Sequence, residues 1–593
     1  MTRRARHIAG LAWIWSAGAI SATCGPNERT AVTVRVALSH DASQRLAPQS
    51  SDESDVDAGS EIPYPVVRRA AAAVEQTSHG TKPQAAIVAS FDGLGVGFVG
   101  PQGTATPRNP SDNTLAVGRD HIVQIVNTRM AIFTKKGTQF DTTGRVLYGP
   151  VETRNVFRGF GGPCEARNNG DAVVRYDQLA DRWLIVMPIF SRLPVRQDEP
   201  RAGRSGEPAQ RSVRGRAGQP GPATRLFEPS PPPPPAPGDS TAPRPPAPPR
   251  EQGSYAMCYA LSVGPDPFGP YYRYEFVRPL FPDYPRPAVW PDGYYVPTST
   301  GDDVIQKHVC VVDRTRMLKG EDATEQCIVI DGVNFLNNAD LDGQTLPPLG
   351  APNIMMASGG TQLKRIMDDD GIYVWTLHVD WDDPAKTSLT GPTKVRVAPY
   401  HYLCDGQLTN CVPQPGTDRR LDAQGDKIMP RLVYRRIGRQ ESLVAVHSVN
   451  TAAGGGGVRW YEFRLDARRN VRLHQQGTYA PDSFYRWMAS PAMDAGGNLA
   501  IGYSFGGTPH FAGQRLAARL ANDPKGVLTL REAVLVEGEA PQTSTLRWED
   551  YTQTAVDPSD DCTIWYVGDY LKKGATSYST RIGAFRLPGC GGR

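Results

Sequence analysis

Three arginines stand at matching places in this chain. Arg431, Arg486 and Arg547 each begin or just precede an apolar run, in RLVYRR, RWMASPAM and RWEDYTQTAV. A guanidinium fork binds a carboxylate in a planar, two-pronged way through charge-assisted hydrogen bonds. Three such forks at one place would hold an anionic sugar or another carboxylate. Trp487, Trp548 and Tyr551 lie beside two of them, where aromatic rings can stack on a sugar face. The competing reading is structural: an arginine next to a tryptophan lies on the ring and bridges neighbouring loops.

Acids stand close to the same places. Glu165, Asp171 and Asp550 lie in the segments that lead into apolar runs. Tyr551 is a conceivable nucleophile if a nearby carboxylate takes its proton. A glycosidase needs two such groups at a defined separation, which sequence does not supply. The bland alternative is that Asp and Asn cap turns through local hydrogen bonds. The oxygen-rich turns MDDDG (367–371) and DPSDD (557–561) raise calcium as a cofactor, since calcium prefers oxygen ligands. Neither fits an EF-hand loop, and both fall where a turn already calls for Asp and Gly. No Cys/His group has zinc-site spacing. GGGG at 454–457 joins strands rather than opening a helix, so a phosphate loop is not expected.

For these residues to meet, distant segments must converge. A strand–polar turn–strand pattern recurs seven times, at 112–127, 171–188, 287–299, 363–379, 431–449, 490–505 and 553–571. A second pair of apolar runs follows most copies, as in HVCVVD with QCIVID and VRWYEFRL with RLHQQGTYA. Self-similarity at this spacing marks a repeat architecture. Four-stranded units about sixty residues apart predict a seven-bladed β-propeller, an all-β fold. The last unit lacks a fourth strand, and AIVASF (86–91) can supply it and close the ring. The innermost strand of each blade would line a channel. Just before those strands stand Asp112 and Asn113, Asn169 and Asp171, Asp283 and Tyr284, Gln362, Arg431, Tyr485 to Trp487, and Arg547 to Tyr551.

Composition agrees. Over 593 residues the formal charge is only +4, and the clearest arginine excess lies in the low-complexity stretch 201–225. Nucleic acid is therefore not expected as a partner. Arg3, Arg4 and Arg6 precede an apolar run from Ile8 to Ala22, the form of an export signal over 1–23. Cys24 follows, so lipidation of Cys24 and ordinary cleavage near Ala22 are the two outcomes. Residues 24–82 read as a polar, disordered tether, and 83–593 as the propeller. A Pro-rich insertion at about 194–252 splits the second unit. Nine cysteines less Cys24 leave eight. Proximity suggests Cys164–Cys258, Cys310–Cys327, Cys404–Cys411 and Cys562–Cys590, which an oxidising compartment would sustain.

The runs YGPVETRNVFRGFGGPCEARNNGDAVVRYDQLADRW, FPDYPRPAVWPDGYY, QQGTYAPDSFYRWMASPAMDAGGNLAIGYS and RWEDYTQTAVDPSDDCTIWY resemble an uncharacterised family of exported bacterial β-propeller proteins. MDAGGNLAIGYS is faintly similar to the Asp-box turn of sialidase-like propellers but lacks its Ser-x-Asp-x-Gly-x-Thr-Trp pattern. The resemblance implies export and a propeller, with no catalytic residues to carry over. The expected function is a secreted, periplasmic or outer-membrane protein that binds a glycan or an envelope protein at its channel mouth. A sialidase-like hydrolase or polysaccharide lyase built on the arginines is the first alternative. A structural envelope scaffold is the second.

Overall fold

The computed structural model describes residues 31–48, 74–106, 108–191, 254–299, 306–333, 335–360, 370–405 and 410–591. The export signal, Cys24, the Pro-rich insertion, Gln362 and most of the 367–371 turn lie outside them.

The chain is all-β. Its strands read as near-continuous apolar runs, such as His121–Val126, Arg182–Ile189 and Leu499–Gly507, and these are buried at every position but Arg182. Such runs suit strands covered on both faces. Tight turns between them carry Asn127, Asp181, Arg469 and Asp561 in the left-handed region, which Asn and Asp adopt more readily than other side chains. The sheets pack closely: a Cβ on Gly502 would meet the Tyr566 ring at 2.4 Å.

Seven four-stranded antiparallel units result. The first strands of the units are Thr114–Val117, Val173–Asp177, Ala288–Val289, Asn337–Asp342, Leu432–Ile437, Tyr485–Met493 and Gln553–Val556. Each first strand contacts the first strand of the next unit, and the seventh contacts the first. Units four and five merge into one nine-stranded sheet, because Asn337–Asp342 pairs in parallel with Leu432–Ile437. The seventh unit takes its outer strand from Ala86–Gly95, the segment expected to close it. All four expected disulfides are formed.

Two expectations need correction. The region read as a disordered tether contains ordered chain. Thr33–Val36 pairs with the outer strand of unit three, and Ser39–Ala42 with that of unit two. Glu75–Gln76 pairs with unit five, and Lys82 bridges to Leu530 in unit six. The described stretches 31–48 and 74–82 thus cover sheet edges, which are otherwise templates for aggregation. Unit four also begins earlier than its sequence suggests. Its first strand is the polar run Asn337–Asp342, and the turn at 367–371 precedes its third strand, Ile372–His378.

Candidate functional site

The segments leading into the first strands of units one, two, three and seven converge. Asp112, Asp171, Tyr284 and Asp550 all have positive φ (48°, 52°, 49° and 64°). Each backbone kinks one to four residues before its strand begins. The kinks bring together four carboxylates, those of Asp112, Asp171, Asp283 and Asp550.

Asp112 is 0% exposed. Asn127 donates to its Oδ2 at 2.6 Å, whereas Oδ1 has no hydrogen-bond donor among the described residues. The Asp171 carboxyl lies within hydrogen-bonding reach of both Asp112 and Asp283, so acceptor faces acceptor. Among the described residues its donor is the Tyr284 backbone N–H, at 3.3 Å. Burial pushes the carboxyls of Asp112 and Asp171 well above the ordinary range. Neighbouring carboxylates push further: Asp171 and Asp550 act on Asp112, and Asp283 acts on Asp171. Asp171, Asp283 and Asp550 are only half-buried, so the cluster meets solvent.

Of the cations nearby, Arg547 and Lys427 are engaged elsewhere, while Arg286 leaves Nη1 and Nη2 without a hydrogen-bond partner among the described residues. Arg547 pairs with Asp550 and, at 3.4 Å, with Asp422. Lys427 donates to Gln424 and lies 4.4 Å above the Phe335 ring. Arg286 donates to the Leu336 carbonyl and lies 4.6 Å above the Tyr284 ring. Tyr284 stacks on Tyr551 with ring centroids 4.6 Å apart. Neither phenol has a hydrogen-bond partner among the described residues. Burial raises both phenols well above their usual range, so they stay protonated.

A second charged layer adjoins these rings. Arg431 binds Asp340 through Nε and Asp342 through Nη2, each at 2.5 Å, and Arg175 lies 3.6 Å from Asp340. A cavity of about 50 Å³ opens beside it, lined by Arg175, Gln178, Asp342, Arg431 and Gln553 among others. That volume holds a water or two, not a sugar ring.

The predicted arginine cluster does not form. Arg486 is 0% exposed and is held by Asp482 and Glu532, each at 2.8 Å, with Arg515 on the far side of Glu532. The three arginines belong to three separate ion-pair networks, with Arg431 in the second layer and Arg547 beside the carboxylates. Trp487 and Trp548 are fully buried. Trp548 donates its indole N–H to Ser504, so neither ring is available to a sugar. Glu165 also stands apart. Its carboxylate accepts from the backbone N–H groups of Gly159 and Gly161, which hold it below the ordinary range and clip the loop.

Of the acids and the nucleophile expected from sequence, Asp171, Asp550 and Tyr551 do come together. Asp112 and Asp283 join them from positions already noted before first strands. Lys427, Gln424 and Asp422 went unforeseen, because they lie in a long segment between units four and five that has no repeat counterpart. The DPSDD turn spends its carboxylates internally: Asp557 on Lys135, Asp560 on the Cys562 and Thr563 backbone, Asp561 on Arg435. It leaves nothing for calcium. Among the described residues, one trio of metal-ligating side chains brings its ligand atoms within 4.8 Å of one another, His308, Cys310 and Cys327. Those cysteines are joined in a disulfide, so they offer no thiolate.

No family model matches the chain, and no curated protein matches it. Among solved structures it is similar to a protein of unknown function from Dyadobacter fermentans. The identity is 8% and the TM-score 0.31, over 85% of this chain and 100% of that one.

Proposed function

We propose that the chain is an exported seven-bladed β-propeller that binds a neutral or amino glycan at the carboxylate end of its ring. The cycle of contacts among first strands supports the blade arrangement. Four disulfides support an oxidising compartment. Among the described residues no helix is long and apolar enough to cross a membrane, and a lipid on Cys24 is the proposed anchor.

The observation that carries the binding reading is the meeting of Asp112, Asp171, Asp283 and Asp550, three of which lack a paired cation among the described residues. Such carboxylates accept hydrogens from hydroxyl or ammonium groups and repel anions. The ligand class therefore changes from an anionic to a donor-rich sugar. The hydrolase or lyase built on converging arginines loses its basis. A scaffold role is the second reading, favoured by the N-terminal strands that cover sheet edges and the internal pairing of Arg431 and Arg486.

A glycan array tests the choice. Neutral or amino sugars should bind, and Asp171→Asn should weaken that binding at least tenfold. Retention by Asp171→Asn, or a preference for sialylated and uronate glycans, would refute the proposed site. No binding at all with a correctly folded protein would favour the scaffold.

A further inference from the structure

The mouth carboxylates are under-compensated in a specific way. Asp112, Asp171 and Asp283 carry no ion pair among the described residues. Arg547 and Lys427 are already bonded to Asp550, Asp422 and Gln424, and Arg286 acts on Asp283 but is not among the largest influences on Asp112 or Asp171. A like-charged buried group is costly unless something positive or a proton joins it. Two further observations, apart from the acids' number, point to a missing partner. The Tyr551 hydroxyl, on a residue 2% exposed, lies within electrostatic reach of Asp112 and Asp171 and has no hydrogen-bond partner among the described residues. The Tyr284 hydroxyl, on a residue 7% exposed, is likewise unpartnered.

We infer that Asp112 and Asp171, with Asp283 and the Tyr551 hydroxyl beside them, hold one hard divalent cation of the calcium or magnesium class. The donors are all oxygen, as such cations require. The partner is small, because Asp112 Oδ1 is fully enclosed and a lysine or amino-sugar head would not reach it. Among the described residues no three carboxylates bring oxygens within 4.8 Å of one another. The ion is therefore held by two carboxylates and fills its shell with water, which the half-exposed Asp171 and Asp283 admit. Its place lies between unit one and unit two, where it would tie two segments that no disulfide joins. The inference concerns the same mouth as the glycan proposal, but it does not need a glycan to bind.

Calorimetric titration of the full chain, dialysed free of metal, with calcium and then magnesium chloride tests it. One ion per chain should bind, with a dissociation constant on the order of 10⁻⁴–10⁻³ M, as in extracellular sites. Protons should be released on binding, read from the heat in buffers of different ionisation enthalpy. The Asp112→Asn/Asp171→Asn variant should lose binding at least tenfold. Asn accepts the same backbone conformation. If that variant does not fold, terbium emission sensitised by Tyr284 and Tyr551 in the unaltered protein, displaced by calcium, reports the site directly. Absence of heat and of emission up to 10 mM metal would overturn the inference, leaving shared protons as what neutralises the carboxyls. Binding that survives in the folded double variant would overturn it too. Absence of metal binding with glycan binding retained in excess chelator would sink the cation and spare the glycan proposal; metal binding without any glycan binding would do the reverse.

Discussion

The surroundings of Arg486 and of Asp171 are built from the same kinds of residue and do opposite things. Around Arg486, every charge has an answer: Asp482, Glu532 and Arg515 alternate in sign, and Tyr479 and Phe505 lie against the guanidinium. Around Asp171, like faces like, with Asp112 and Asp283 on either side. A network closed on itself leaves nothing to offer a ligand and serves the fold. A network left open by one or more charges stores an unmet interaction and serves binding. The difference lies in partners, not in residue type or exposure.

The sharpest break between the two regions should come from truncating Arg486. Arg486→Ala leaves Glu532 buried beside Arg515 alone, and removing one member of a buried pair costs about 3–5 kcal/mol. Denaturant unfolding measures it, and a loss below about 1 kcal/mol would show that the network is not what holds unit six together.

The disulfide between Cys562 and Cys590 fastens the seventh unit, whose outer strand comes from the other end of the sequence. Replacing both cysteines by Ala should lower stability by about 2–4 kcal/mol, without touching glycan or metal binding. A change in binding would mean that the carboxylate cluster depends on how the seventh unit is fastened.

A smaller effect comes from a buried carboxyl pair, Asp569 and Glu549. Burial pushes Asp569 up to about 8, and the adjacent Glu549 is also raised by burial and then by Asp569. The native state therefore keeps a proton that the unfolded chain gives up near its ordinary value of 3.8. The stability this group contributes is fully present below about pH 4 and is lost as pH rises through 8. Melting temperature should fall across that window, and Asp569→Asn should flatten the fall. An equal slope in the variant would assign it to other groups.

Much of this was legible in the sequence. The closing strand at 86–91 showed itself as an apolar run with no partner nearby, and the cysteines paired by proximity. The positions of Asp112, Asp171 and Asp283 could be read as the residues before first strands. Their convergence followed from the repeat. What escaped was everything set by a distant partner. Asn337–Asp342 forms a strand although NNADLD has little strand character, because Arg431 answers Asp340 and Asp342 across the interface. Thr33–Val36 and Ser39–Ala42 are too short to declare themselves, and the edges they cover supply their hydrogen bonds. The arginines misled for the same reason. Arg486 stands where a ligand residue would stand, but Glu532, which consumes it, is forty-six residues away.

Thermal unfolding of Asp171→Asn beside the unaltered protein, both free of metal at pH 8, addresses the open network most directly. Asn keeps the acceptor for the Tyr284 N–H and removes a charge that burial and Asp283 oppose. The variant should be more stable than the parent, by about 1 kcal/mol or more, with the gain shrinking as pH falls toward the ordinary carboxyl range and the parent's raised carboxyls take up protons. A variant that melts well below its parent at pH 8 would mean that the Asp171 charge is already answered within the fold, and the mouth would then be one more closed network.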